Sequence, residues 1–201
     1  MLNARNTSYA RGSVRKLVMV GMLSAISIFL GVSGLGFIRL PIFQLTIMHL
    51  PVIIGAILEG PIVGMGVGLM FGLFSMYQAV TAPTVTSFIF LNPIISLLPR
   101  VLIGLVTYYV YKAIVNKLKK TNVSIGIAAV IGTLVNTVGV LGLTYVIYLE
   151  RYAEAIGVST NAVAATLFGV AVTNGVAEAI GSAILAIPVV MGVFKVQKRK
   201  N

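Results

Sequence analysis

The run Leu17-VMVGMLSAISIFLGVSGLGF-Ile38 contains no charged residue. A helix needs about 20 predominantly apolar residues to cross the hydrocarbon of a bilayer. The run is long enough for that, and it is too long for the apolar core of a cleavable signal. Five further apolar segments follow, at about Ile42–Leu58, Pro61–Val80, Ser87–Tyr111, Val123–Leu149 and Ala162–Phe194. Backbone polar groups in lipid must be satisfied internally, so these unbroken runs are read as helices. Barrel strands would alternate polar and apolar residues instead. The expected fold is therefore all-α, an integral bundle of six transmembrane helices.

The composition agrees. Of 201 residues, 58% are hydrophobic and 9% charged, and the mean hydropathy is +1.04. Soluble domains carry roughly 25% charged residues. A net charge of +11 does not point to nucleic acid, because the basic residues flank the apolar runs and form no face interleaved with aromatics. There is no Cys, with one His and four acidic residues. Disulfides and thiolate metal sites are thus excluded, no metal cluster is expected, and no cofactor is implied.

Charge placement sets the expected orientation. With the N-terminus inside, twelve basic residues fall on the inner side: Arg5, Arg11, Arg15, Lys16, Lys112, Lys117, Lys119, Lys120, Lys195, Lys198, Arg199 and Lys200. Only Arg39 and Arg151 fall outside, and Arg100 lies within a helix. This predicts cytoplasmic termini and an even number of spans. The chain then reads as a single transmembrane domain over 1–201: a cytoplasmic arm at 1–16, the bundle at 17–194 and a basic tail at 195–201. Arg39-Leu40-Pro41, Glu59-Gly60-Pro61, Thr81–Thr84, Lys117–Asn122 and Glu150–Asn161 are the breaks. The second segment is short and holds Pro51, so it is expected to tilt or to re-enter.

Polar side chains inside a membrane are costly and need a reason. Counted at 1.5 Å per residue from the outer ends of their segments, Arg100 and Asn136 lie about 20 Å deep, and Asn174 about 18 Å. Three helices thus bring polar groups to one level. Asn92 and Ser96 lie above Arg100 toward the outer mouth. One reading is a small-molecule pocket open to the outside and lined by Asn92, Ser96, Arg100, Asn136 and Asn174. Arg offers a fork of donors for a carboxylate or phosphate, and amides read hydroxyls and carbonyls. The other reading pairs Arg100 with Glu178, with the Asn residues bridging helices. His49 could bond a substrate or a backbone carbonyl. Tyr77 and Gln78, and likewise Tyr145, could cover a pocket or form an interfacial belt.

Small residues form a second pattern. Gly21 and Ala25, with Ser24 between them, and Gly64, Gly68 and Gly72 are spaced to let another helix approach. For the third segment this is read as internal packing. For the first, internal packing competes with docking to another membrane subunit. No G-x-x-x-x-G-K-[ST] is present, so the chain is not expected to hydrolyse ATP, and no catalytic site is read.

The stretch Gln44-LTIMHLPVIIGAILEG-Pro61, with Gly64–Ser75 and Asn92-Pro93, resembles the substrate-binding S-components of energy-coupling factor (ECF) vitamin transporters over most of residues 15–195, and is most similar to their pantothenate group. The resemblance implies a six-helix protein of the bacterial plasma membrane that captures a vitamin from outside. It implies delivery by docking to a transmembrane coupling subunit (EcfT type) with two ATPase subunits (EcfA type). It places ligand sites among the outer loops and the fourth to sixth helices. It places partner docking on the small-residue face of the first, here Gly21, Ser24 and Ala25. A pyridoxine-type vitamin, a thiamine precursor and folate remain alternative ligands. A self-sufficient secondary transporter remains an alternative class.

Overall fold

A computed structural model describes residues 2–39 and 44–200. The elements are α1 (Leu2–Val32), β1 (Phe37–Arg39), β2 (Gln44–Thr46), α2 (Leu50–Glu59), α3 (Pro61–Thr81), α4 (Pro93–Leu118), α5 (Thr121–Ile156), α6 (Thr160–Val170) and α7 (Val176–Lys200), with a 3-10 turn at Ser87–Ile89 and a π-helical segment at Ala171–Gly175. The all-α membrane bundle is as expected. Five stretches, Gly12–Val32, α3, α4, α5 and the continuous rod Thr160–Arg199, are long and apolar enough to cross a bilayer.

The second segment differs from the expected helix over Ile42–Leu58. Its helix begins only at Leu50 and has 10 residues, about 15 Å of rise, which is half a hydrocarbon core. Before it, β1 and β2 pair antiparallel with Phe37 opposite Thr46 and Arg39 opposite Gln44. Residues 40–43, which include the anticipated break at Leu40-Pro41 and the start of that segment, lie outside the described residues. The first helix ends at Val32, short of the expected Ile38, because the chain turns through Gly34 at φ +73° into β1. The fifth helix overruns its expected end, reaching Ile156 through a kink at Tyr148 (φ −128°, ψ 26°).

Proline positions set several helix starts. Pro51, Pro61 and Pro93 stand in the first turns of α2, α3 and α4, where a missing N–H costs nothing. Gly60, at φ 97°, makes the turn from α2 into α3.

The short α2 is the axis of the bundle. It is buried from Leu50 to Ile57 and packs against α1, α3, α4, α5 and α7. Its Val52, Ile53 and Ile57 share one core with Val63, Val67, Ile103 and Ile125. Lipid is as apolar as these side chains, so close packing and hydrogen bonds hold the helices together. The anticipated role of the third helix's glycines is seen directly. A Cβ on Gly64 would lie 2.9 Å from the Gly104 Cα, one on Gly68 2.1 Å from the Arg100 carbonyl oxygen, and one on Gly72 2.5 Å from the Ser96 carbonyl oxygen. Three turns of α3 thus lie backbone to backbone on α4. At the far end from the hairpin, Arg15 of α1 donates to Glu59 at the end of α2.

Candidate functional site

Arg100 sits one residue after Pro99 inside α4 and is 4% exposed. Its Nη1 donates to the Ile95 carbonyl at 2.6 Å, and its Nε has no partner. The guanidinium carbon lies 5.5 Å from the Phe71 ring centre and 5.2 Å from that of Phe90. The cation is therefore held between two aromatic faces in a dry interior.

The pairing of Arg100 with Glu178 is not formed. Glu178 Oε1 instead accepts from the Thr46 backbone N–H at 2.8 Å, tying α7 to the hairpin. The chain's other carboxylates are also elsewhere: Glu59 is paired with Arg15, and Glu150 and Glu154 are exposed on the far part of α5. Among the described residues no acidic side chain neutralises Arg100. A buried unpaired cation costs several kcal/mol, on the order of 2.5–3.5 even by insertion scales.

Two helix contacts lie next to the three expected residues. Pro99, beside Arg100, packs on Gly139 of α5, where a Cβ would lie 2.9 Å from the Pro99 Cβ. Thr137, beside Asn136, packs on Gly175, beside Asn174: a Cβ on Gly175 would lie 3.1 Å from the Thr137 side chain. Asn136 Oδ1 and Thr137 Oγ1 are both buried without a hydrogen-bond partner. Asn174 lies half-buried within the π-helical segment. One surplus residue in a helix opens its backbone ladder locally, and such bulges recur at functional sites.

His49 caps α2 and is fully buried. Its Nε2 lies 2.9 Å from both Thr133 Oγ1 and Ser182 Oγ, and Nδ1 has no partner. The Thr133 hydroxyl already donates to the Ala129 carbonyl, so Nε2 carries the proton and donates to Thr133. The opposite tautomer would bury an unpaired N–H. His49 thus joins α2, α5 and α7, and bonds hydroxyls where a backbone carbonyl was one expectation. Replacement by Ala is expected to cost about 2–4 kcal/mol, from lost hydrogen bonds plus a cavity. Ser182→Ala should cost about 1 kcal/mol. Denaturation of the purified protein in detergent measures both.

The remaining candidates shape the mouth. Asn92 Oδ1 caps α4 by accepting from the Ile94 N–H at 2.9 Å, while its Nδ2 donates to the Tyr148 hydroxyl at 3.4 Å. The Ser96 hydroxyl donates to the Phe90 carbonyl. Ser96 therefore holds Phe90, whose ring faces Arg100, and Asn92 ties the start of α4 to Tyr148 of α5. Phe88 packs edge-on against Tyr148 and lies under the Arg151 guanidinium. Tyr77 is 63% exposed and Gln78 half-buried, both at the end of α3, with Tyr145 exposed on α5. They are not gathered around Arg100. On α1, Gly21 and Ala25 lie on an exposed stripe, and a Cβ on Gly21 would meet nothing. Ser24 turns inward, buried without a partner.

Sequence reasoning missed Phe71, Phe90, Thr133, Thr137 and Ser182. Apolar or hydroxyl residues in an apolar helix give no signal of their own. The run Thr173-Asn174-Gly175 was the visible hint of the irregular segment.

These features define a polytopic membrane protein with a buried cation and several buried polar groups left without hydrogen-bond partners. Residues 15–190 match the family model of the ECF transporter substrate-specific component. A Lactococcus lactis subsp. cremoris protein named pantothenic acid transporter PanT is 33% identical over 164 residues, covering 75% of this chain and 78% of the relative. A Leuconostoc mesenteroides pantothenate transporter PanT is 31% identical over 145 residues, covering 71% of each. The chain belongs to the ECF transporter substrate-specific component family.

Proposed function

We propose that this chain captures pantothenate at the face carrying the hairpin, and that Arg100 binds the ligand's carboxylate. The carrying observation is a guanidinium buried within a membrane-capable helix with no acidic partner among the described residues. An anionic ligand supplies the missing charge. Pantothenate offers a carboxylate, an amide and a pair of hydroxyls. The unpartnered Asn136, Thr137 and Nδ1 of His49, with Asn174, offer groups that suit that set. Asn92 and Ser96 keep the lining in place. The names of the two relatives support this choice of vitamin.

In this reading the hairpin faces outward and both termini face the cytoplasm of a bacterial plasma membrane. The chain has no ATPase site of its own. The exposed Gly21–Ala25 stripe of α1 meets an EcfT-type coupling subunit carrying two EcfA-type ATPases. Mass spectrometry of small molecules retained by the purified protein, followed by pantothenate titration, tests the ligand. Uptake into liposomes tests the class: the chain alone is expected to bind pantothenate without accumulating it. Accumulation driven by a proton gradient with no ATPase present would overturn the assignment and make the chain a secondary transporter.

A further inference from the structure

A second site lies at the other end of the bundle, on its lipid-facing surface. Helices α1 and α3 touch where Val20 meets Gly66, a Cβ there lying 3.0 Å from the Val20 side chain. Toward the end that carries the Arg15–Glu59 pair they splay apart. The wedge between them encloses about 620 Å³ and is lined by Gly12, Ser13, Lys16, Leu17, Ile62 and the Val20–Gly66 contact. Ser13 and Lys16 supply its polar groups, Leu17 and Ile62 its exposed apolar walls, and the Val20–Gly66 contact closes its apex.

We propose that this wedge binds one glycerophospholipid with a net-negative headgroup, its phosphate on Lys16 and Ser13 and an acyl chain along Leu17 and Ile62. Three features of the groove support this. The groove opens to the bilayer, where lipid is the abundant neighbour. Its polar groups, Ser13 and Lys16, lie near one end of the α1 span, and its closed apex, the Val20–Gly66 contact, lies toward the middle, the polarity order of a lipid molecule. The charge at the mouth is complementary, because Arg15 is offset by Glu59 whereas Lys16 has no acidic partner among the described residues. A basic groove between helices near a membrane surface suits an anionic headgroup.

Native mass spectrometry of the detergent-purified full chain tests the proposal, with phosphatidylglycerol titrated against phosphatidylcholine of identical acyl chains. One phosphatidylglycerol is expected to bind preferentially. Lys16→Gln should reduce that preference about fivefold, the effect of roughly one surface charge. Gly66→Leu, which fills the apex, should weaken both lipids. Lys117→Gln, at the same end but outside the groove, should change neither. Glycerol phosphate alone, lacking the chains, should not compete. No preference for phosphatidylglycerol, or a preference untouched by Lys16→Gln, overturns the site. So does a photo-crosslinker at position 13 that captures protein and not lipid in native membranes. Pantothenate affinity of Lys16→Gln should equal that of the unaltered protein, so this result stands or falls apart from the vitamin site.

Discussion

Arg100→Ala is expected to abolish tight pantothenate binding while leaving the empty protein at least as stable as before. The two halves come from one fact. In the unliganded chain the guanidinium is desolvated, donates to a single carbonyl and faces two aromatic rings without a carboxylate. Removing such a charge relieves a cost that packing does not fully repay. With the ligand bound, the same charge is paired, and truncating one member of a buried pair costs about 2–5 kcal/mol. That corresponds to about 30-fold to several thousand-fold in Kd. Calorimetric titration reads the affinity, and thermal unfolding with and without pantothenate reads the stability. At about 100 times Kd a ligand stabilises its protein by about 2.7 kcal/mol, so the ligand-induced rise in Tm should vanish in the variant. Unchanged affinity would remove Arg100 from the site. A large loss of stability without ligand would show that the residue is structural.

Gly68→Ala should be still more damaging, to the fold itself. The added methyl would sit 2.1 Å from the Arg100 carbonyl oxygen and 2.8 Å from its carbonyl carbon. Both are backbone atoms of a packed helix, so no rotamer change relieves the contact and α3 must move off α4. We expect a loss of about 3 kcal/mol or more, at the top of the range for overpacking. Ligand binding should fall with it, because the same displacement shifts Arg100. Gly142→Ala is the matched control: its Cβ would meet nothing within 4 Å, and the change should be close to neutral. Unfolding of the two variants in detergent compares them directly. Equal stability would mean that the α3–α4 contact is looser than its geometry.

The spans were legible because the bilayer imposes a length and a polarity that composition alone reveals. Arg100, Asn136 and Asn174 could be selected by counting residues along helices, since 1.5 Å per residue converts sequence into depth. What counting could not supply was lateral arrangement. The partner of Glu178 is a backbone N–H of a strand, and the Ile42–Leu58 run looked helical because a short apolar strand and a buried helix share one composition. Gly21 and Gly68 belong to similar small-residue patterns, yet one faces outward and the other lies against a neighbouring backbone. Which face a helix turns inward is set by its neighbours, not by its own residues. The aromatic clamp of Phe71 and Phe90 was hidden for the same reason.

The π-helical segment at Ala171–Gly175 has a bearing on kinship as well as on chemistry. A single surplus residue offsets everything beyond it by about 100° from a regular spiral. A helical wheel drawn continuously from Thr160 to Lys200 therefore misassigns the lipid side on one half of the rod. Descendants that gained or lost one residue here would keep their composition but rotate the terminal arm, presenting different side chains to the neighbouring helices. Gaps falling at this point in aligned sequences would accordingly record changes of phase rather than neutral drift in length.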